Sequence, residues 1–523
     1  MSEVYVPPGS FDEMTTVPPP PPSPAAPGRK RGHWERALRG RRRRWLRRGL
    51  IGANIVVAIA LVVSSSAYVY VHYRWAQIAK VHLSGLVHSG HDSAGAINAP
   101  LGPAMTILLV GNNTRTGLDP SEASEFGSSE DVGGARSDVT MLLHLDPVKG
   151  ASILSIPRDL FVPMPPGSMV GSVGKIDAAL NDGPENLVEA ITNDLGIPID
   201  HYVSINFDGF QNVVNALGGI NMYFPTELRD SYSGLRITQP GCTHLNGNVA
   251  LAVVRARHLE YVGPNGEWEY DPESDLSRIR RDHEFLDVLA KTVEAKGLTN
   301  PVQANAVLGN LVHQVTIDDG FTLGTMLRLV RRYRNLDPAA VPELTLPITL
   351  VPSGNYHYDG GSYGSIVFPT EPADQQVIDS FLDRPAPATT PGAVDIVDTS
   401  GAGLGRTIAQ GLSAAGFTIT GQTYSYARAV PSETVIHYPP GDLSAAQLVL
   451  SRLAGAAVMF ADAQAPPGTV VVDVGSVITV ATPAPPAAAG TATPSTTTTV
   501  PTPGGQPITP SVTPLQSYDP TGC

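Results

Sequence analysis

Arg136-Ser137-Asp138-Val139-Thr140-Met141-Leu142-Leu143-His144-Leu145 and Ala151-Ser152-Ile153-Leu154-Ser155-Ile156-Pro157-Arg158-Asp159 are the two stretches that decide the fold. Residues 139–145 and 151–156 are short apolar runs, the pattern of strands in a buried sheet. Charged residues stand directly before the first run and just after the second. They therefore lie at strand ends beside a core, where open α/β sheets hold their ligands.

Working outward, Arg255-Ala256-Arg257 and Asp275-Leu276-Ser277-Arg278 complete a set of four Arg and Asp clusters. The planar fork of Arg matches phosphate oxygens and stays charged at any relevant pH, so several converging Arg imply a multiply charged anion such as a pyrophosphate. Asp beside that anion would repel it unless a divalent cation bridges the two. Mg2+ takes oxygen ligands and reverses the sign of the interaction. The competing reading is a set of ordinary surface ion pairs. If the chain is extended at 255–257, both Arg side chains leave on one face; if it is helical, they diverge.

The order of the segments around these clusters resembles the LytR-CpsA-Psr family. Residues 107–115 are similar to its opening strand and polar loop, and 136–140 and 154–159 to its two best-known segments. Lys175-Ile176-Asp177-Ala178-Ala179, Ile205-Asn206-Phe207-Asp208-Gly209-Phe210, Leu217-Gly218-Gly219-Ile220 and Leu245-Asn246-Gly247 follow in the family's order, ahead of Arg255-Ala256-Arg257. The similarity covers roughly residues 103–296. The resemblance implies an α/β fold with an α/β/α catalytic domain built on a central mixed sheet. It also implies an extracytoplasmic phosphotransferase that moves a glycan from a polyprenyl-pyrophosphate carrier onto a hydroxyl of peptidoglycan, with Mg2+ as cofactor and Mn2+ as an alternative.

Carried over position by position, the resemblance makes Asp138 a metal ligand, and makes Arg136, Arg158, Arg255, Arg257 and Arg278 pyrophosphate contacts oriented by Asp275. Arg136, Asp138, Arg158, Asp159 and Asp275 form the expected catalytic set. Lys175, Arg255, Arg257, Arg278 and Asp282 form the expected substrate-binding set, with Lys175 equally readable as a solvated surface residue. Two positions depart from the family pattern. Asn113 stands where Asp is frequent, leaving a neutral oxygen for a metal or a water, and Asp282 stands where Gln is usual, adding negative charge near phosphate. The second metal ligand stays open among Glu122, Glu125, Glu130 and Asp131. Phosphoryl transfer is mostly positioning and charge stabilisation, so such a kit suffices. Asp138 and Asp159 are the nearest candidate bases, and His258 and His283 the weaker ones.

The 523-residue chain is long enough for two or three domains. Residues 1–48 are Pro-rich and then basic, and 49–71 are uncharged, apolar and long enough to span a bilayer. Eleven of the 35 Lys and Arg fall within 29–48, whereas only 4 of the 48 acidic residues precede Gly49. Arg-rich flanks stay in the cytoplasm, so the expectation is an N-in anchor with everything after His72 outside. A cleaved signal peptide is the alternative. The strongly acidic outer part argues against nucleic acid as a partner.

The expected organisation continues with a connector at 72–102, the catalytic domain at 103–385, a linker at 386–391, a small α/β domain at 392–480 and a disordered tail at 481–523. Helical patterns at 302–315 and 322–336 are natural walls for a polyprenyl slot, and 344–350 is strand-like. In the small domain, strands are expected at 393–397, 417–421, 434–438 and 470–474, and helices at 404–415 and 444–453. Its turn Gly401-Ala402-Gly403-Leu404-Gly405 invites a dinucleotide reading, which fails because Arg406 holds the place of the last glycine. This domain resembles the accessory domain that follows the catalytic one in actinobacterial members. Cys242 and Cys523, the only cysteines, would tie the tail back if paired; free thiols and an intermolecular bridge are the alternatives. Richness in Ala, Pro and Arg suits a high-GC actinobacterium, hence arabinogalactan or another secondary wall polysaccharide as the glycan. A non-catalytic polyprenyl-phosphate-binding protein is the main functional alternative.

Overall fold

A computed structural model describes residues 33–87, 104–113, 135–296, 312, 314–337, 340–350, 355–358, 361–384, 390–425, 433–481 and 515–523. The chain divides into residues 1–71 and a body of residues 72–523. Helix His33–Ala76 contains the segment Val56–Ala76, which at a mean hydropathy of 1.6 is long and apolar enough to cross a membrane.

The body is organised on a seven-stranded mixed sheet. From one edge to the other its strands are Ala79–Val81, Val315–Asp318, His201–Asn206, Met105–Asn112, Ser137–Asp146, Gly150–Ile156 and Glu343–Thr345. Its register places Leu108 opposite Leu142 and Leu142 opposite Leu154, so three fully buried leucines form one row across the middle. Side chains alternate between sheet faces with a period of two, and here both faces are covered. On one face the row packs against Leu187, Val188 and Ile191 of helix Pro184–Leu195 and Phe381 of helix Ala373–Phe381. On the other, Ile107 and Leu145 pack with Phe321 and with Leu329 of helix Leu323–Tyr333. The result is the expected α/β/α arrangement. Each fully buried leucine contributes about 2 kcal/mol of transfer free energy.

The same register builds the sheet edge where the charged residues stand. Asn112 lies opposite Ser137, and Thr140 opposite Ile156, so the end of one strand, the start of the next and the end of a third meet at one side of the sheet. Parallel strand His201–Asn206 ends there too, where the Asn206 side chain accepts a hydrogen bond from the Gly209 N–H at 2.9 Å and caps helix Phe207–Ala216.

Several expectations need correction. Residues 79–81, assigned to a connector, form the sheet's edge strand. Residues 344–350 split into two strands in different sheets, Glu343–Thr345 and Ile348–Leu350. The helix at 444–453 ends at Leu450, and an unanticipated strand, Leu453–Ala461, follows; its Ala-Gly-Ala-Ala stretch hides the apolar alternation. Residues 302–311 lie outside the described residues, and Val315 begins a strand.

The small domain does not stand apart from the catalytic one. Thr370 and Glu371 of strand Val367–Glu371 pair with Ala456 and Gly455 of strand Leu453–Ala461, making one continuous sheet from Ile348–Leu350 to Thr418–Tyr424. Beside this junction Asp194, Glu371 and Asp374 are all buried, and burial pushes each carboxyl up. The glycine turn holds the chain's own carboxylate. Asp398 accepts hydrogen bonds from the Gly405 N–H at 2.9 Å and the Ser400 N–H at 3.0 Å, and a Cβ at Gly405 would come 2.7 Å from the Asp398 Cβ. That helix N-terminus is therefore occupied, which explains the glycine without a nucleotide.

Candidate active site

Pro157 lies between strand Gly150–Ile156 and Arg158, which continues across the sheet edge. The segment after it is laced back: Asp177 N–H donates to the Arg158 carbonyl at 3.2 Å and Ile176 N–H to the Leu160 carbonyl at 2.8 Å. Lys175 and Asp177 are thereby brought beside Arg158 and Asp159.

Two chains of alternating charge result. In the first, the Arg158 guanidinium bridges Asp138 and Asp177, the latter at 2.5 Å, and Arg136 stands 3.9 Å from the same Asp177 carboxylate. In the second, Asp159 accepts from Lys175 at 2.8 Å and from Arg257. Arg257 continues to Asp275 at 3.1 Å, Asp275 to Arg278 at 3.3 Å, and Arg278 to Asp282 at 3.6 Å. Nine of the ten expected site residues thus fall into these chains. Arg255, the tenth, stacks its guanidinium 4.5 Å over the Phe207 ring. It ends helix Gly247–Arg255, and extended Ala256 (φ −66°, ψ 115°) turns the chain so that Arg257 leaves toward Asp159. The two arginines part company because the helix stops between them.

Arg255 reaches a pocket of about 440 Å³. Leu109, Met141, Val203, Ile205, Ile317, Phe210, Leu251, Phe285 and Met326 give it an apolar lining, while Asp138, Arg255 and Asp282 are its charged lining residues. Asp282 is only 4% exposed, and neither carboxylate oxygen has a hydrogen-bond partner among the described residues. Burial, opposed by Arg278 and Arg281 and reinforced by Asp275 and Asp138, pushes its carboxyl up to about 7.

The electrostatics sort the other acids. Burial pushes Asp159 up, but Arg257 and Lys175 outweigh it and hold the carboxyl below its ordinary range. Such a carboxylate is a poor proton acceptor. Asp177, fully buried, is raised by burial despite Arg158 and Arg136. Arg158 is raised overall: burial lowers it, and Asp138 and Asp177 more than compensate.

Neither candidate histidine base joins the charge chains. His283 is buried, bonded to the Ser155 hydroxyl at 2.7 Å, and lowered to about 4 by burial. His258 lies with its ring 4.3 Å from that of Tyr232. The Asn113 oxygen, expected to face a metal or a water, accepts the Arg136 N–H at 2.9 Å instead. Glu122, Glu125, Glu130 and Asp131 lie outside the described residues.

The LytR_cpsA_psr family profile matches residues 82–368, more than half of the chain. The chain belongs to the LytR-CpsA-Psr family. A profile described as LytR cell envelope-related transcriptional attenuator matches residues 393–477. This LytR-CpsA-Psr protein is 33% identical over 229 residues to the probable cell wall biosynthesis protein LcpB of Corynebacterium glutamicum, covering 43% of this chain and 51% of that protein. It is 26% identical over 416 residues to LcpA, a cell wall biosynthesis protein of the same organism, covering 71% and 76%. TagV of Bacillus subtilis, a polyisoprenyl-teichoic acid–peptidoglycan teichoic acid transferase, is 39% identical over 160 residues, covering 29% and 38%. The chain spans about half the length of LcpB and less of TagV. Among solved structures, the LytR-Csp2A-Psr enzyme from Actinomyces oris is 24% identical, covering 58% of this chain and 95% of that one, with a TM-score of 0.43.

Two features of this LytR-CpsA-Psr site were missed in the sequence. Asp177 sits in a quoted motif, two residues after Lys175, yet received no role; its spacing from Lys175 was the available signal. The second is the fold of the chain's end, expected to be a disordered tail that a Cys242–Cys523 bond would tie back. Residues 482–514 lie outside the described residues, but 515–523 fold onto the site helix Asp275–Lys296. Thr521 and Gly522 pair with strand Ile220–Phe224, and Cys523 is disulfide-bonded to Cys242 with Cα atoms 5.9 Å apart. Asp519, 2% exposed, accepts from Arg280 at 2.9 Å and stands 3.9 Å from fully buried Arg281. Arg281 in turn donates to the carbonyl of Ala256, between the two site arginines.

Proposed function

We propose that this protein is an extracytoplasmic phosphotransferase that transfers a polyprenyl-pyrophosphate-linked glycopolymer to peptidoglycan. The observation that carries this reading is the junction of a network of alternating Arg and Asp with an apolar pocket at Asp138 and Asp282, where Arg255 also lines the pocket. A long lipid tail takes the pocket and a pyrophosphate takes the arginines. An acceptor hydroxyl attacks the glycan-bearing phosphorus, a new P–O bond forms, the P–O bond to the polyprenyl phosphate breaks, and the departing polyprenyl phosphate takes up the proton that the hydroxyl loses. Arg158, Arg257 and Arg278 neutralise charge on the transferred and leaving phosphates, and their Asp partners fix the guanidinium planes.

Among the described residues no group of three His, Cys, Asp or Glu is arranged to hold a metal ion. Asp138 and Asp282 nevertheless supply hard oxygen donors beside the pocket, and Mg2+ binds through one or two carboxylates together with substrate phosphates, so the donor set fits. When bound, Mg2+ held by Asp138 would neutralise pyrophosphate charge; Mn2+ would take the same oxygens. The proposed glycan is arabinogalactan or another secondary wall polysaccharide, and the likeness to two Corynebacterium cell wall biosynthesis proteins supports a wall polymer in general. The basic segment before the apolar helix supports a cytoplasmic N-terminus, which a reporter fused after Cys523 tests: activity inside the cell would overturn it.

A second reading, carrier binding without turnover, is favoured by one observation, the buried Asp282 carboxyl, which stands 3.6 Å from Arg278 without a hydrogen bond among the described residues. Mass spectrometry of lipid co-purifying with the detergent-extracted protein, paired with a glycan-transfer assay on the same preparation, separates the two. Bound polyprenyl lipid with transfer supports the enzyme; bound lipid without transfer, given a donor and acceptor proved with another ligase, supports the carrier.

A further inference from the structure

The hairpin formed by strands Glu260–Val262 and Trp268–Tyr270 starts three residues after Arg257 and ends five before Asp275. The Arg257–Asp275 contact of 3.1 Å closes its base, so it rises from the mouth of the charge network. Its inner face is taken. Tyr261 stacks on Tyr518 of the returning tail at 4.0 Å with the rings 13° apart, and the Tyr261 hydroxyl donates to Glu269 at 3.0 Å. The outer face is open: Trp268 and Tyr270, two residues apart and on the same side of the strand, are 39% and 54% exposed.

Tyr232, 72% exposed, joins them from the turn after strand Leu228–Asp230. Asp230 fixes its place by accepting hydrogen bonds from both the Tyr232 N–H (2.8 Å) and the His258 N–H (2.8 Å). The Tyr232 ring then lies 4.3 Å from the imidazole of His258, the residue next to Arg257. Tyr270 is tied to the same place, because the Asp271 N–H donates to the Leu259 carbonyl at 2.8 Å. Charge is interleaved with these rings: Arg229 pairs with Glu260 and lays its guanidinium 4.0 Å over Trp268.

Exposed rings mixed with ionic donors and acceptors suit a ligand having both an apolar C–H face and many hydroxyls, which describes a pyranose; a lipid chain would want the rings without the charges. The position selects which saccharide. A donor's first sugars are bonded to the pyrophosphate, so they must leave the arginines within one or two sugar lengths. Tyr232 and Tyr270 flank that exit, and Trp268 is one strand repeat, about 7 Å, further on.

We propose that Tyr232, Tyr270 and Trp268 form a stacking platform for the first sugars of the donor glycan. This rests on the pyrophosphate reading of the arginine site. The test uses the full-length detergent-solubilised protein and two probes, a short-chain polyprenyl pyrophosphate esterified to di-N-acetylchitobiose and the same lipid esterified to methyl. Tyr270→Ala and Tyr232→Ala should weaken the glycosylated lipid about tenfold and the methyl lipid less than about twofold, with Tyr270→Phe near wild type. Equal losses on both lipids, or no loss on the glycosylated one, would overturn the platform. Weakened binding of sonicated peptidoglycan strands with unchanged glycosylated-lipid binding would also overturn it, moving the surface to the acceptor. If the wild type bound neither lipid, the pyrophosphate reading itself would fall.

Discussion

Arg158 and Asp177 meet at 2.5 Å, and Asp177 is wholly enclosed while Arg158 still faces the site. A buried carboxylate behind a half-buried guanidinium acts as a fixed backstop: it sets the plane of the fork before substrate arrives. Asp177→Asn preserves the shape and removes the charge. Loss of one charge-assisted bond of this kind costs about 2 kcal/mol, so transfer should fall roughly thirtyfold while polyprenyl lipid still co-purifies. Unchanged transfer by purified Asp177→Asn would remove Asp177 from the site.

Arg158→Ala should cost more, about 2 to 3 kcal/mol in the transition state, or roughly a hundredfold in rate. Arg158→Lys should recover little, because one ammonium cannot span Asp138 and Asp177 as the fork does. Transfer assays of the two variants check this; Lys rescue to near wild type would mean that charge alone matters there.

Much of this was legible in the sequence and some was not, for physical reasons. The central strands announced themselves because apolar runs such as 139–145 are covered on both faces, and a two-sided core leaves no polar alternation to confuse. Arg136, Asp138, Arg158 and Asp159 stand at the strand ends where apolar runs stop, whereas Arg255, Asp275, Arg278 and Asp282 come from helices that no strand pattern announces. Asp177 was obscure because its partners are reached only through a backbone turn. Asp519 was more so: it meets Arg280 at a sequence separation of 239, and no local pattern encodes a partner that distant. Its nine-residue segment also follows a Pro- and Thr-rich stretch whose composition says nothing about what returns after it.

The tail makes its own prediction. Asp519→Asn removes the counter-charge shared by Arg280 and buried Arg281, and breaking one partner of a buried pair costs about 3 kcal/mol. Denaturant unfolding of the purified domain in the full chain should show a lower midpoint for Asp519→Asn. A midpoint equal to wild type would mean that the tail rests on the site helix without supporting it.

Asp282 supplies a pH signature. Its carboxyl is raised from an ordinary 3.8 to about 7, so the proton is held more tightly in the folded state. The stability this adds is fully present below about pH 4 and is lost as pH rises through about 7. Asp282→Asn cannot ionise, so it should be more stable than wild type at pH 8, by on the order of 4 kcal/mol, and indistinguishable at pH 4. Thermal unfolding across that range checks it; a constant difference between the two proteins would show that Asp282 does not titrate there.

The most direct test pairs lipid retention with transfer in Asp138→Ala. Asp138 lines the pocket and anchors Arg158, and is the proposed Mg2+ ligand, so its loss should act on the transition state rather than on lipid affinity. Burial of the chain supplies that affinity at about 0.8 kcal/mol per methylene. One preparation of each protein is assayed for co-purifying polyprenyl lipid and for glycan transfer to peptidoglycan, with and without Mg2+. The account predicts lipid retained and transfer abolished in Asp138→Ala, and the same loss of transfer when a chelator is added to the wild type. Wild type that retains lipid yet transfers no glycan under any metal condition, with donor and acceptor proved by another ligase, would contradict it.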